Sequence, residues 1–223
     1  MVANFEFKHA FHYENGFYLT SEPYRMANIL AHYELYKKIL KLPGDVLELG
    51  VFKGSSLIQF STFRELLESN VSRKIVGFDT FGTFPESLNK NVESDSKFIE
   101  DWNKQFEKEL VSREDILESL EYKKIQNVEL IPGDIHDTIP QYIKDHPNLR
   151  IALLHLDMDV YAPTKFALEN LMNRVVTGGV VVIDDYATVE GATLAVEEFL
   201  SDKPYVLKKL RCAHRKPSFF VKK

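Results

Sequence analysis

RIALLHLDMDVY, residues 150–161, carries a continuous apolar run into two carboxylates, Asp157 and Asp159. Such a run reads as a buried strand. Side chains two apart on a strand share a face, so extended geometry carried through Asp159 aims both acids into one small volume. Like charges held that close raise each other's pKa and cost stability unless a cation or a reacting proton resolves the conflict.

Outward from this stretch the same kind of run recurs at residues 45–49 (DVLEL), 74–78 (KIVGF), 128–132 (VELIP) and 180–183 (VVVI). Short apolar runs separated by helical or loop segments indicate parallel strands covered on both faces and joined by right-handed crossovers. The fold class is α/β. Residues 205–210 (YVLKKL) and 218–221 (SFFV) lie too close together for a helix between them and should pair antiparallel at the sheet edge. Residues 22–40 place Met26, Ile29, Leu30, Tyr33, Tyr36 and Leu40 at helical spacing, with Ser21 as the N-cap and Pro23 in the first turn. Residues 1–21 alternate aromatic and polar side chains around Asn15-Gly16, a dipeptide suited to a tight turn, and predict an N-terminal arm or hairpin. Its aromatics could pack on the core, cover the site or form a subunit contact. Residues 86–127 form a long, charged helical insertion in which Phe98, Trp102, Phe106 and Leu110 recur every four residues. A lid and a solvated helical insertion are both open readings.

At 223 residues the chain suits a single domain spanning 1–223. Apolar residues make up 44% and charged residues 27%, the balance of an ordinary globular protein. A net charge of −5 argues against a nucleic-acid or anionic-membrane partner. Cys212 is the only cysteine, which excludes an intrachain disulfide and a cysteine-based zinc site and fits a cytoplasmic setting. No run of about 18 apolar residues and no basic-then-apolar N-terminus points to a membrane span or to export.

In a doubly wound sheet, ligands bind beyond the carboxyl ends of the strands. After the first strand, Glu48-Leu49-Gly50-Val51-Phe52-Lys53-Gly54-Ser55-Ser56 joins an acid to a glycine turn that opens a helix, where free N–H groups and two hydroxyls could meet a carboxylate. It is not a dinucleotide fingerprint, because Phe52 stands where G-x-G-x-x-G needs glycine. Asp79 ends the second strand, where a carboxylate can accept both ribose hydroxyls, and Asp134, followed by Ile135, ends the third, within reach of an adenine amino group. Each could also be only a helix cap; together they favour an adenosine ligand. The fourth and fifth strands end in Asp157, Asp159, Asp184 and Asp185, an oxygen-only donor set suited to a hard cation such as Mg²⁺. Capping of the next helix by Asp184 or Asp185 would leave Asp157 unexplained. His155 is either a core histidine or a support to this site.

GDVLELGVFKGSS, GFDTFGTFP, LDMDVYAPTKFALE and GGVVVIDDY together resemble the class I S-adenosylmethionine-dependent methyltransferases, and within them the macrocin O-methyltransferase family of metal-dependent sugar O-methyltransferases. The resemblance covers residues 24–200. It implies a Rossmann-like sheet of seven strands, mostly parallel with a C-terminal antiparallel hairpin and helices on both faces. It implies Glu48, Gly50 and Ser55 in the methionine pocket, Asp79 on the ribose, Tyr24 and Arg25 closing over the cofactor, Asp157, Asp184 and Asp185 on the metal, and Asp159 as general base. The expected partner is a small acceptor, a sugar or nucleotide sugar, in a chain able to form homo-oligomers. A catechol-like acceptor and a catalytically silent partner with this fold are the competing readings.

Overall fold

The computed structural model describes residues 5–85, 92–106, 111–213 and 216–223. Leu110 of the expected amphipathic face and parts of the charged insertion, 86–91 and 107–110, lie outside them. After a 3₁₀ turn at Phe7–His9 come α1 (Ala10–Thr20), α2 (Pro23–Lys37), β1 (Asp45–Leu49), α3 (Ser55–Leu67), β2 (Ile75–Asp79), α4 (Glu93–Phe106) and α5 (Arg113–Tyr122). Then follow β3 (Val128–Pro132), α6 (Ile135–Asp145), β4 (Ile151–Leu156), α7 (Tyr161–Leu171), β5 (Val175–Ile183), α8 (Glu190–Leu200), β6 (Lys208–Lys209) and β7 (Ser218–Val221).

The sheet order is β3-β2-β1-β4-β5-β7-β6. The first five strands run parallel; β7 lies antiparallel between β5 and β6. Alternate residues of each strand serve opposite faces, as the period of two requires. Val46, Leu153, Val180 and Val182 pack with Leu35, Tyr36, Leu57, Phe60 and Ile116 of α2, α3 and α5. Leu47, Leu49, Leu154, Leu156, Val181 and Ile183 pack with Ile139, Tyr142, Leu168 and Val196 of α6, α7 and α8. All six residues of β4 are buried, so this central strand anchors both layers.

Three local expectations are corrected. Asn15-Gly16 makes no hairpin turn: it lies inside α1, where the Asn15 amide donates to the Phe11 carbonyl and Thr20 Oγ1 to that of Gly16. These side chains bond back to carbonyls one turn earlier, as a helix allows, where the aromatic-polar alternation predicts a strand. Ser21 is not the cap of α2 either; Glu22 takes the N-cap position, with Pro23 at the first helical residue. Nor is the charged connection one solvated insertion. Its second half, α5, carries a Ser112/Asp115 capping box and buries Ile116 and Leu120 in the core.

Candidate active site

Strand order reverses between β1 and β4, and a cavity of about 1500 Å³ opens at the carboxyl ends around that point. Gly50, Asp79, Asp134, Ile135, Asp157, Asp159 and Asp184 all line it, as do Ser55, Tyr24 and Arg25.

The β1 turn is shaped by two glycines. Gly50 has φ +89°, and a Cβ there would meet the Asp157 carbonyl oxygen at 1.8 Å, so only glycine lets the ends of β1 and β4 come together. Gly54, at φ +80°, is the N-cap of α3. The Asp79 carboxylate braces this turn: Oδ2 accepts from the Val51 and Phe52 amides at 2.7 and 2.8 Å, and Oδ1 from the Phe81 amide at 2.6 Å. Phe52 and Phe81 hold φ near +50°, a conformation few side chains adopt, and three hydrogen bonds to one charged acceptor help to hold it. Asp134 caps α6 by accepting from the His136 amide at 2.9 Å, and meets the His136 ring at 2.7 Å. A structural cap and a place on the cavity wall coincide in this residue.

The two acids of the β4 end converge by a route other than strand alternation. β4 stops at Leu156, and Asp159 takes φ +64°. That left-handed turn brings its amide to the Asp185 carboxylate at 3.0 Å. One carboxylate oxygen from each of Asp157, Asp184 and Asp185 lies within 4.8 Å of the others. Burial, and then repulsion from Asp184, Asp185 and Asp159, pushes Asp157 far above the usual carboxylate range. Burial and Asp185 do the same to Asp159. Burial and Asp184 raise Asp185 to about 6. Lys216, on the approach to β7, bonds Asp184 and stands 4.0 Å from Asp185. Burial opposes its charge, but Asp184 outweighs that and raises its pKa. Among the described residues, four carboxylates facing one ammonium leave a strong negative field into which a hard cation fits by charge and by donor type.

Behind this rim lies a buried polar island. Glu48 and His155 are register partners on β1 and β4, on the face covered by α2 and α3. Glu48 is fully buried and does not line the cavity; its Oε1 accepts from Ser56 Oγ and meets His155 Nδ1 at 3.2 Å. His32 of α2 packs edge-on against His155, ring centroids 5.1 Å apart, while its Nδ1 meets Gln59 Oε1 at 2.8 Å. Burial, then His155, lowers the pKa of His32 to about 4, so the ring is neutral.

The cavity is roofed by α4. Trp102 and Phe106 pack on Phe52, and Phe98 and Trp102 on Phe84. Asp95 anchors this helix: it is 3% exposed and accepts from the Tyr161 amide at the start of α7 at 2.8 Å. His32, Gln59 and Lys216 were not singled out from sequence. His32 and Gln59 sit on helices whose apolar spacing explains them as ordinary members, and Lys216 reaches Asp184 only through the path of the last connection.

Fold and strand-end cavity together define an α/β protein of the methyltransferase type. The family model of the macrocin O-methyltransferases (TylF) matches residues 24–209, and the chain belongs to that family. It is 33% identical over 165 residues to the 8-demethyl-8-(2,3-dimethoxy-α-L-rhamnosyl)-tetracenomycin-C 4'-O-methyltransferase of Streptomyces olivaceus, over 71% of this chain and 58% of that protein. Demethyldecarbamoylnovobiocin O-methyltransferase of Streptomyces niveus is 28% identical over 162 residues, again over 71% and 58%. The chain thus spans less than two thirds of the length of these relatives. Among solved structures, the apo form of CalS11, a TDP-rhamnose 3'-O-methyltransferase, matches with a TM-score of 0.68 at 25% identity, over 98% of this chain and 87% of that one. The O-methyltransferase NovP matches in fold with a TM-score of 0.76 at 23% identity, over 88% and 79%.

Proposed function

We propose that the protein transfers a methyl group from S-adenosylmethionine to a sugar hydroxyl, of a nucleotide-linked sugar or a glycan precursor, with Mg²⁺ held by Asp157, Asp184 and Asp185. The observation that carries this reading is the gathering of those three carboxylates at one point, with Asp157 and Asp184 on the wall of the cavity that also holds the glycine turn. Family membership supports the methyl transfer, and the rhamnosyl and TDP-rhamnose named for two relatives support a sugar acceptor.

When bound, S-adenosylmethionine supplies an electrophilic methyl carbon and Mg²⁺ a positive charge that eases loss of the hydroxyl proton. The chain's own residues do the rest. Gly50 allows close backbone approach, Ser55 and the α3 amides face the methionine carboxylate, and Glu48 supports that pocket from beneath through Ser56. Asp79 presents its carboxylate to the ribose while bracing the turn, and Asp134 and Ile135 flank the adenine. Tyr24 and Arg25, in the first turn of α2, close the cofactor end, the guanidinium 5.1 Å from the Tyr24 ring centroid. Asp159, set on the cavity wall by its left-handed turn and tied to Asp185 through its amide, takes the acceptor's proton. The aromatic roof of α4 excludes water, which strengthens each charge interaction below it.

The aromatic lining, Phe84, Phe98, Trp102 and Phe106, favours a second reading in which the acceptor is a catechol-like phenol. The negative net charge weighs against a nucleic-acid partner. Among the described residues no helix is long and apolar enough to cross a membrane. Work in the cytoplasm and pairing of two copies through the exposed Phe11, Tyr18 and Leu19 of α1 complete the proposal. The test is release of S-adenosylhomocysteine from nucleotide sugars, free sugars and catechols, with Mg²⁺ and with a chelator. Turnover of a sugar class only with Mg²⁺ is the expected result. Turnover of catechols alone supports the second reading, and neither turnover nor cofactor binding would leave a silent member of the fold.

A further inference from the structure

The mechanism above uses no atom of His32 and no second nitrogen of His155, although both rings are buried beside the reacting rim. His32 is 2% exposed and His155 fully buried. Each ring has one nitrogen committed: Nδ1 of His32 to Gln59 Oε1 and Nδ1 of His155 to Glu48 Oε1. Glu48 Oε1 also accepts from Ser56, which fixes that oxygen as an acceptor and Nδ1 of His155 as the protonated nitrogen. Among the described residues, the Nε2 atoms of both rings are buried with no hydrogen-bond partner. One nitrogen from each ring and one oxygen of Asp184 lie within 4.8 Å of one another. Two ring nitrogens thus lie in the interior without a donor, beside a carboxylate whose own bond comes from Lys216, and such nitrogens are seldom left unmatched.

We propose that His32, His155 and Asp184 form a second, nitrogen-rich cation site, distinct from the oxygen-only cluster and sharing Asp184 with it. Two imidazoles whose outer nitrogens are held by a carboxylate and an amide have the arrangement that orients histidine for a metal. Two nitrogens and one oxygen select a borderline transition ion of the Zn²⁺ or Co²⁺ kind, whereas Asp157, Asp184 and Asp185 select a hard one. The ion has a path in, since His32 and Asp184 both line the cavity. Its charge would offset the excess of carboxylates over Lys216 among the described residues.

The test uses chelator-treated full chain, first held at saturating Mg²⁺ and then titrated with Zn²⁺ or Co²⁺. One further equivalent is expected, with visible absorption for Co²⁺. Long-range ¹H–¹⁵N spectra of the wild-type protein should show Zn²⁺ moving the Nε2 resonances of His32 and His155 and of no other histidine. His32→Gln should weaken this binding at least 10-fold, and Gln59→Leu, which removes only the outer support, by about 10–100-fold. Asp157→Asn should leave it intact, so this site can stand or fall apart from the Mg²⁺ reading. Unmoved Nε2 resonances, or Zn²⁺ affinity unchanged in folded His32→Gln, would overturn the proposal, and Nε2 resonances of the protonated form would leave only a hydrogen-bonded polar cluster.

Discussion

Asp157 and Asp159 are two residues apart but have different surroundings. Asp157 faces Asp184 and Asp185, whereas Asp159 is swung out by a left-handed turn and tied to Asp185 through its backbone. Asp159→Asn keeps the shape and removes the base, so turnover should fall about 10²-fold or more while metal and cofactor affinities stay near wild type. Asp157→Asn should instead weaken Mg²⁺ binding. Single-turnover methyl transfer and metal titration on both variants check this division of labour, and normal turnover of Asp159→Asn at saturating Mg²⁺ would sink it. Asp79 braces the β1 turn and is the proposed ribose ligand. Asp79→Ala removes the acceptor of three backbone N–H groups as well as the proposed ribose ligand, so it should weaken S-adenosylmethionine binding by about 1.5–3 kcal/mol and lower the melting temperature too. Calorimetry showing unchanged affinity would remove Asp79 from the pocket.

Among the elements, α4 is held differently from the rest of the sheet's cover. It contributes few residues to the core, and its attachments are the Asp95 carboxylate and an aromatic face turned to the cavity. An element so held should open readily in the free protein. Hydrogen exchange across residues 92–106 should slow when cofactor and acceptor are both bound, and Asp95→Ala should speed exchange there without unfolding the sheet. Strong, ligand-independent protection would make α4 a fixed wall. A second junction, far from the cavity, locks α2, α3 and β2 together. Arg73 donates to Glu68 at 2.8 and 2.9 Å and to the carbonyls of Ile39, Leu42 and Gly44, while the Tyr36 hydroxyl donates to Glu68 at 2.6 Å. Burial would raise the Glu68 pKa, but the bonds from Arg73 and Tyr36 outweigh it and hold the carboxyl below its ordinary value. A depressed folded-state pKa gives stability that is full above about pH 4.5 and lost as pH falls below it. Glu68→Gln strands the Arg73 charge and should cost about 3 kcal/mol at neutral pH. It should also flatten the acid limb of a stability–pH curve measured by denaturant melts.

At the scale of the whole molecule, the reversal of strand order puts the carboxyl ends of β1 and β4 side by side, and everything chemical follows from that crevice. The oxygen-only cluster continues to its β5 side, the glycine turn and Asp79 to its β2 side, and the histidine island lies beneath it. The opposite layer, α6 to α8, is apolar and serves the core. Phe11, at 77% exposure, and Leu19, at 85%, stand on a helix with no buried residue. A dimer measured by light scattering that becomes monomeric on Tyr18→Ser with Leu19→Ser would establish that face as the pairing surface; a wild-type monomer would refute it.

The α/β class, the antiparallel edge, the acids of the rim and most strand positions are legible in the chain because apolar runs and their polar ends are local patterns, readable over five or six residues; β5 begins earlier than its apolar run, at Val175, and β6 is only Lys208–Lys209. The runs at 45–49, 128–132 and 218–221 coincide with β1, β3 and β7. Tertiary structure alone decided which of those acids meet and how. Glu48 and His155 are 107 residues apart, and their contact exists only because β1 and β4 are neighbours in register. His32 joins them from a helix whose spacing announces nothing but packing, and Lys216 enters the acidic cluster from the last connection. Asp159 points as it does because φ turned positive one residue beyond Met158, and residues 10–20 became a helix because backbone hydrogen bonds closed locally where side-chain alternation had pointed to a strand. Local periodicity fixes an element's kind through its own backbone, but electrostatic partners are chosen by distance in space, which the chain acquires only on folding.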